Sequence, residues 1–174
     1  MSIFQNAKPA LLSVLIVIGL IASNSRAEAG ETEVLTVAGG CFWCVESDFE
    51  SVPGVKEVVS GYTGGTTENP TYKQVTHGGT GHYEAVQIMF DPAKVSLDTL
   101  LEKFFRSVDP TDAGGQFCDR GDSYRTAIFA SDKAQMTAAE MAKQDAAVAL
   151  GQEIVTPILP EVPFYQAEDY HQDY

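Results

Sequence analysis

The sequence predicts an α/β chain of the two-layer α+β kind. Its expected architecture is a ferredoxin-like split β-α-β core with an added helix, an added strand and a coiled C-terminal tail. Three observations predict this. The 174 residues suit one domain, and 44% hydrophobic content is enough for a real core. Between residues 33 and 130 the apolar periodicity runs strand, helix, strand, strand, helix, strand. Turn residues separate these segments, without an internal domain boundary, a charge block or a repeat.

Glu33 to Ala38 is rich in Val, Leu and Thr and reads as a short strand. Gly39-Gly40 turns the chain into a helix over Phe42 to Ser51, which Pro53-Gly54 stops. Val55 to Tyr62 is a second strand. Gly64 to Thr80, rich in Gly, Thr, Asn and Pro, reads as a long loop, and its length favours a functional role. Tyr83 to Phe90 alternates as a strand and ends at Asp91-Pro92. Ser96 caps a helix whose apolar residues include Leu97, Leu100, Leu101, Phe104, Phe105 and Val108. That spacing makes Phe104 and Phe105 core residues. Thr111 to Ser123 is a second loop and Tyr124 to Ala130 a strand. Ser131 or Asp132 caps an Ala-rich helix to Leu150, closed by Gly151, with Met136 and Met141 as packing residues. Glu153 to Ile158 is a last short strand, and the tail from Pro160 has no clear periodicity.

The first residues belong to a different class. Ala10 to Ala22 is an uncharged run with only Ser13 polar, preceded by Lys8. Ala27 and Ala29 each close a small-x-small site, so residues 1–29 read as an export signal cleaved after Ala27 or Ala29. The alternative is a retained membrane anchor, although the run is shorter than the ~20 residues a spanning helix needs. Residues 30–174 form the single expected domain, in the periplasm or secreted, with no stable membrane association once the signal is gone. The formal charge is −13, from 11 basic and 24 acidic side chains, which opposes nucleic-acid binding.

Cys41, Cys44 and Cys118 are an odd number in a compartment where disulfides persist. Cys41 sits between a strand end and a helix start, where free N–H groups and the helix dipole favour a thiolate. Cys41-Phe42-Trp43-Cys44 admits three readings: a redox pair, a structural disulfide, or half of a metal site. The metal reading lacks a second ligand pair, and His77, His82 and His171 are too widely spaced to supply one. Phe42 and Trp43 are adjacent, so one can pack inward while the other lines a pocket; both as core is the plainer alternative. Glu84 is either an outward-facing strand residue or, in an apolar pocket, a general acid. Tyr72, Tyr124 and Asp119 lie in or beside the two loops, and tyrosine hydroxyls can donate to a developing oxyanion.

Several motifs add a resemblance. Gly40-Cys41-Phe42-Trp43, followed by Glu46, resembles the signature of the A-type peptide methionine sulfoxide reductases. Gly61-Tyr62-Thr63-Gly64-Gly65, Asn69-Pro70-Thr71-Tyr72, Thr80-Gly81-His82-Tyr83-Glu84, Asp109-Pro110-Thr111, Asp119-Arg120-Gly121 and Ala167 to Gln172 follow in family order. The resemblance implies a ferredoxin-like core and an enzyme reducing methionine S-sulfoxide, free or in proteins. It makes Cys41 the nucleophile and gives the substrate methyl to Phe42 and Trp43. It implies Glu84 as the acid at the sulfoxide oxygen, Tyr72 and Tyr124 as donors to that oxygen, and Asp119 on the polar side of the pocket. It implies no bound metal or organic cofactor, a thioredoxin-like or other dithiol reductant, and oxidised proteins as substrates; the chain itself is expected to be a monomer. Two positions depart from the family. Cys44 stands where glycine is common, and no cysteine follows Cys118, so the resolving thiol is Cys44, Cys118 or external. The competing functions are a general thiol–disulfide oxidoreductase using Cys41 and Cys44, and a non-catalytic binding domain.

Overall fold

The computed structural model describes residues 31–173, so the expected export signal lies outside the described residues. The elements are β1 (Glu33–Gly39), α1 (Phe42–Glu50), β2 (Val55–Thr63), α2 (Tyr72–His77), β3 (Tyr83–Phe90) and α3 (Leu97–Ser107). A small hairpin follows, β4 (Gly115–Gln116) and β5 (Asp119–Arg120), then β6 (Thr126–Ala130) and α4 (Lys133–Leu150). The chain closes with β7 (Ile158–Pro160) and β8 (Tyr165–Gln166). The main sheet has the order β7-β6-β1-β3-β2-β8. Each of its four inner strands runs antiparallel to its neighbours among them, as the split β-α-β arrangement requires, and β7 adds in parallel beside β6.

Strand alternation divides the core. Leu35 and Val37 point with Val86, Ile88 and Phe90 into the larger cluster, where the sheet meets Phe42, Val45 and Phe49 of α1. Ala38, Tyr83, Ala85, Ala127 and Phe129 form a smaller cluster, covered in part by Phe164. Phe104 is fully buried and Phe105 nearly so, as their helical spacing predicts. Burying a side chain of this size contributes about 1.5–3 kcal/mol. Ser96 and Asp132 cap α3 and α4 by accepting from Thr99 N (3.2 Å) and Gln135 N (2.8 Å). Gly151, at φ +64°, ends α4 in the left-handed conformation that disfavours a side chain. Among the described residues no helix is long and apolar enough to cross a membrane.

The structure corrects several expected boundaries. The Gly64–Thr80 loop contains α2, because Thr71 and Gln74 form a reciprocal capping box that outweighs the loop composition around them. The Thr111–Ser123 loop contains the β4–β5 hairpin. Tyr124 ends a 3-10 turn over Asp122–Tyr124 rather than starting a strand. The strand expected over Glu153–Ile158 spans Ile158–Pro160. The preceding segment instead satisfies its backbone through loops: Val155 N donates to Pro110 O at 2.8 Å, and Ile128 N donates to Pro157 O at 3.0 Å. Met141 is 62% exposed rather than packed, because α4 presents its small alanines to the core and turns this position outward. The tail is not plain coil either. It adds β8 to β2 and a 3-10 turn at Asp169–His171.

Candidate active site

Cys41 is the residue before the first turn of α1, and its carbonyl accepts from Cys44 N (3.1 Å) and Val45 N (3.3 Å). Gly40 brings it there. At φ +91° the backbone is left-handed, and a Cβ would stand 2.6 Å from Gln116 Cβ. Gln116, 2% exposed, is fixed by Asp109 N donating to its Oε1 at 2.7 Å and by its Nε2 donating to Asp109 O at 2.8 Å. The hairpin therefore docks directly on the turn that carries Cys41. Gly40→Ala should lower stability by about 1–3 kcal/mol, from left-handed strain alone; thermal unfolding should show the corresponding drop in Tm.

Glu84 is placed by strand alternation. It shares its face of β3 with Val86, Ile88 and Phe90, and Tyr62 pairs with it across β2. It is 1% exposed, and its Oε2 accepts from Phe42 N at 3.2 Å. The carboxyl thus sits against the amide next to Cys41. Burial pushes its pKa up to about 7, and the negative charge of Asp119 adds to the rise. The Phe42 amide and the Tyr124 hydroxyl oppose the shift without cancelling it. Of the two readings left open for Glu84, the structure takes the buried one.

The Tyr72 and Tyr124 hydroxyls interact with each other, and both rings feel the Glu84 charge. Burial is the largest cause raising both tyrosine pKa values, so each keeps its proton and remains a donor. Asp119 is exposed on β5 but acts electrostatically on Glu84, Tyr72 and Tyr124. Phe42 is buried and Trp43 half-buried, with ring centroids 6.1 Å apart. Phe42 belongs to the core, and Trp43 packs against that core while keeping part of its ring exposed.

One electrostatic expectation fails. The start of α1 does not leave Cys41 as a low-pKa thiolate. The N–H groups of Cys44 and Trp43 do favour the anion, but burial outweighs them, and Cys44 and Glu84 add repulsion. The thiol is pushed up to about 11. All three cysteines are free thiols: Cys41 is half-buried, while Cys44 and Cys118 are exposed. Cys44 lies one helical turn after Cys41. Cys118 lies in the two-residue turn of the hairpin, between Gln116 against Gly40 and Asp119 near Glu84.

The tail supplies residues to which the sequence assigned no role in the site. Glu168 accepts from Tyr72 N at 3.0 Å and from the Tyr62 hydroxyl at 2.9 Å. His171 is 2% exposed, with its ring 4.5 Å from Tyr72, 5.1 Å from Phe42 and 5.3 Å from Trp43. Burial lowers its pKa against the pull of Glu168, which keeps the ring neutral inside this aromatic wall. Gln172 fastens the tail to β2, receiving Ser60 N at 3.0 Å and donating to Ser60 O at 3.1 Å. Glu46, buried in α1, accepts from the Ser60 hydroxyl and, at 2.6 Å, from Asp173 N. The sequence signals for this wall are the aromatic and acidic composition after Pro160 and the family-like run from Ala167 to Gln172, neither of which assigns a role.

A half-buried thiol, a buried acid and two proton-bearing tyrosine hydroxyls thus converge beside an aromatic wall. The family model for peptide methionine sulfoxide reductase matches residues 33–174. Peptide methionine sulfoxide reductase MsrA 2 of Caulobacter vibrioides is 54% identical over 147 residues, covering 84% of this chain and 74% of that protein. Methionine sulfoxide reductase A of Corynebacterium diphtheriae superimposes with a TM-score of 0.75 at 35% identity, covering 82% of this chain and 73% of that one. Reduced Mxr1 from Saccharomyces cerevisiae gives 0.78 at 31% identity, covering 82% and 83%. On the length of the model match and the identity to the Caulobacter protein, the chain belongs to the peptide methionine sulfoxide reductase family.

Proposed function

We propose that this enzyme reduces methionine S-sulfoxide, free or in proteins, with Cys41 attacking sulfur and Glu84 protonating oxygen. Family membership supplies the general reaction. The observation that carries the assignment of roles is the buried Glu84 carboxyl held on the Phe42 amide, one residue from Cys41. A sulfoxide oxygen leaves poorly until it is protonated. A neutral carboxyl supplies that proton, and Tyr72 and Tyr124 donate to the same oxygen. Phe42 and Trp43 offer the methyl group an apolar wall, and Asp119 holds the polar side.

The first half-reaction balances without a cofactor. The Cys41 thiol and the sulfoxide give a Cys41 sulfenic acid and methionine, so sulfur in the substrate gains two electrons and Cys41 loses two. A second thiol then attacks the sulfenic sulfur, forming a disulfide and releasing water. A thioredoxin-like dithiol reduces that disulfide by exchange and is itself oxidised. We assign the second thiol to Cys44, because one helical turn separates it from Cys41 and its exposed position lets a donor reach the product. Cys44→Ser should release one methionine per enzyme and then stall, whereas Cys118→Ser should keep cycling with a dithiol; counting methionine per enzyme separates the two. With residues 1–29 removed, the enzyme would act in the periplasm or outside the cell, as a monomer.

A general thiol–disulfide oxidoreductase would use the same cysteines but gives Glu84 and the tyrosines no task. Assay on free methionine sulfoxide and on a scrambled disulfide protein decides between the two. Sulfoxide turnover supports the proposed reaction, and disulfide exchange without sulfoxide turnover overturns it.

A further inference from the structure

A groove of about 1400 Å³ runs between α3 and α4 and ends at Phe117 of the hairpin. It is larger than the ~300–1,000 Å³ pocket of a drug-sized ligand, so a single amino acid is far too small to fill it. Its surface is apolar where water would ordinarily select against it. Phe117 is 72% exposed, Met141 62% and Leu150 47%. Phe117 also holds a left-handed backbone at φ +49°, which disfavours a bulky side chain, and this conformation turns its ring outward. Four carboxylates, on Asp98, Glu102, Asp109 and Asp145, line the groove against one guanidinium, Arg106. Arg106 is itself paired with Glu102 at 2.7 Å. The groove therefore combines exposed apolar side chains with an excess of carboxylates.

We infer that the α3–α4 groove docks a flanking segment of the protein substrate, amphipathic and basic, while its oxidised methionine enters the Cys41 site. This rests on the proposed sulfoxide reduction and adds the class of substrate. Charge names the occupant: a carboxylate-lined groove on a chain of net charge −13 attracts lysine and arginine and repels acidic segments. Position joins the groove to the chemistry. Phe117 precedes Cys118, and Asp119 beyond it acts on Glu84. An amphipathic helix laying its apolar face in a groove between two helices is a common mode of peptide recognition. The interaction adds affinity outside the reacting centre, so it governs KM for long substrates and leaves free methionine sulfoxide untouched.

The test uses the full enzyme with three substrates. These are free methionine S-sulfoxide and two peptides of equal length with one S-sulfoxide each. One peptide has Leu, Val and Lys at amphipathic helical spacing; the other has Gly, Ser and Glu. The basic amphipathic peptide should show a KM lower by about tenfold, the effect of burying about one apolar side chain. Met141→Lys should remove that advantage, Met141→Leu should keep it, and neither should change turnover of free methionine sulfoxide. Equal KM values for the two peptides, or an advantage that survives Met141→Lys, would overturn the docking inference. Absence of turnover on free methionine sulfoxide by the unaltered enzyme would instead overturn the proposed reaction.

Discussion

Cys41→Ser should reduce methionine sulfoxide turnover to background while leaving the fold intact. The serine hydroxyl is close in size to the thiol, and the position is only half-buried, so packing changes little. The chemistry is what disappears. The reaction requires the attacking atom to lose two electrons and carry away the sulfoxide oxygen, and sulfur does this readily whereas a hydroxyl oxygen does not. Neither Cys44 nor Cys118 can substitute, because Glu84 lies beside the amide that follows Cys41. Measured turnover above background in Cys41→Ser would refute the assignment.

Glu84→Gln should lower kcat/KM by about 10²–10⁴-fold, the usual worth of a positioned general acid. The amide oxygen of glutamine can still accept from Phe42 N, so the start of α1 keeps its partner. The pH profile gives a second signature. The productive state pairs a protonated Glu84 with a Cys41 thiolate. Glu84 loses its proton near pH 7 and Cys41 near pH 11, so that state is a minor one throughout. Below about pH 7, Glu84 is already protonated and the thiolate fraction still rises about tenfold per unit, so kcat/KM climbs with pH. Between about 7 and 11 the loss of acid and the gain of thiolate cancel, and the profile is flat. Glu84→Gln removes the acid and with it the plateau, so its rate should keep rising through pH 7 until the thiol titrates. A plateau beginning near pH 7 in the variant would contradict the role of Glu84.

Legibility followed how local each cause was. Cys41, Phe42 and Trp43 are contiguous, and a glycine pair between strand and helix announces a turn, so their placement could be read directly. Glu84 was readable only as a choice. Its face is set by a period of two shared with Val86, Ile88 and Phe90, while Tyr83 and Ala85 belong to the other cluster. The α2 helix was obscured because a capping box of two residues decides it against a loop-like composition. The Cys41 pKa departs from the helix-start expectation because helix geometry is local but burial is not; the β4–β5 hairpin, for one, docks against the neighbouring Gly40. His171 and Glu168 were invisible as site residues, since side chains roughly 100 positions from Tyr72 reach it only once β8 pairs with β2. The resemblance supplied roles for seven positions, but it offered none for His171.

Cys41 remains central, as a half-buried thiol of raised pKa rather than a ready thiolate. A single stoichiometric turnover tests it most directly. The reduced enzyme is mixed with one equivalent of methionine S-sulfoxide and no external reductant, then methionine is quantified, thiols are counted and the cysteines are mapped by mass. The account predicts one methionine per enzyme, loss of two thiols and a Cys41–Cys44 disulfide. Methionine formed with Cys41 still a free thiol, or no methionine formed at all, would contradict it.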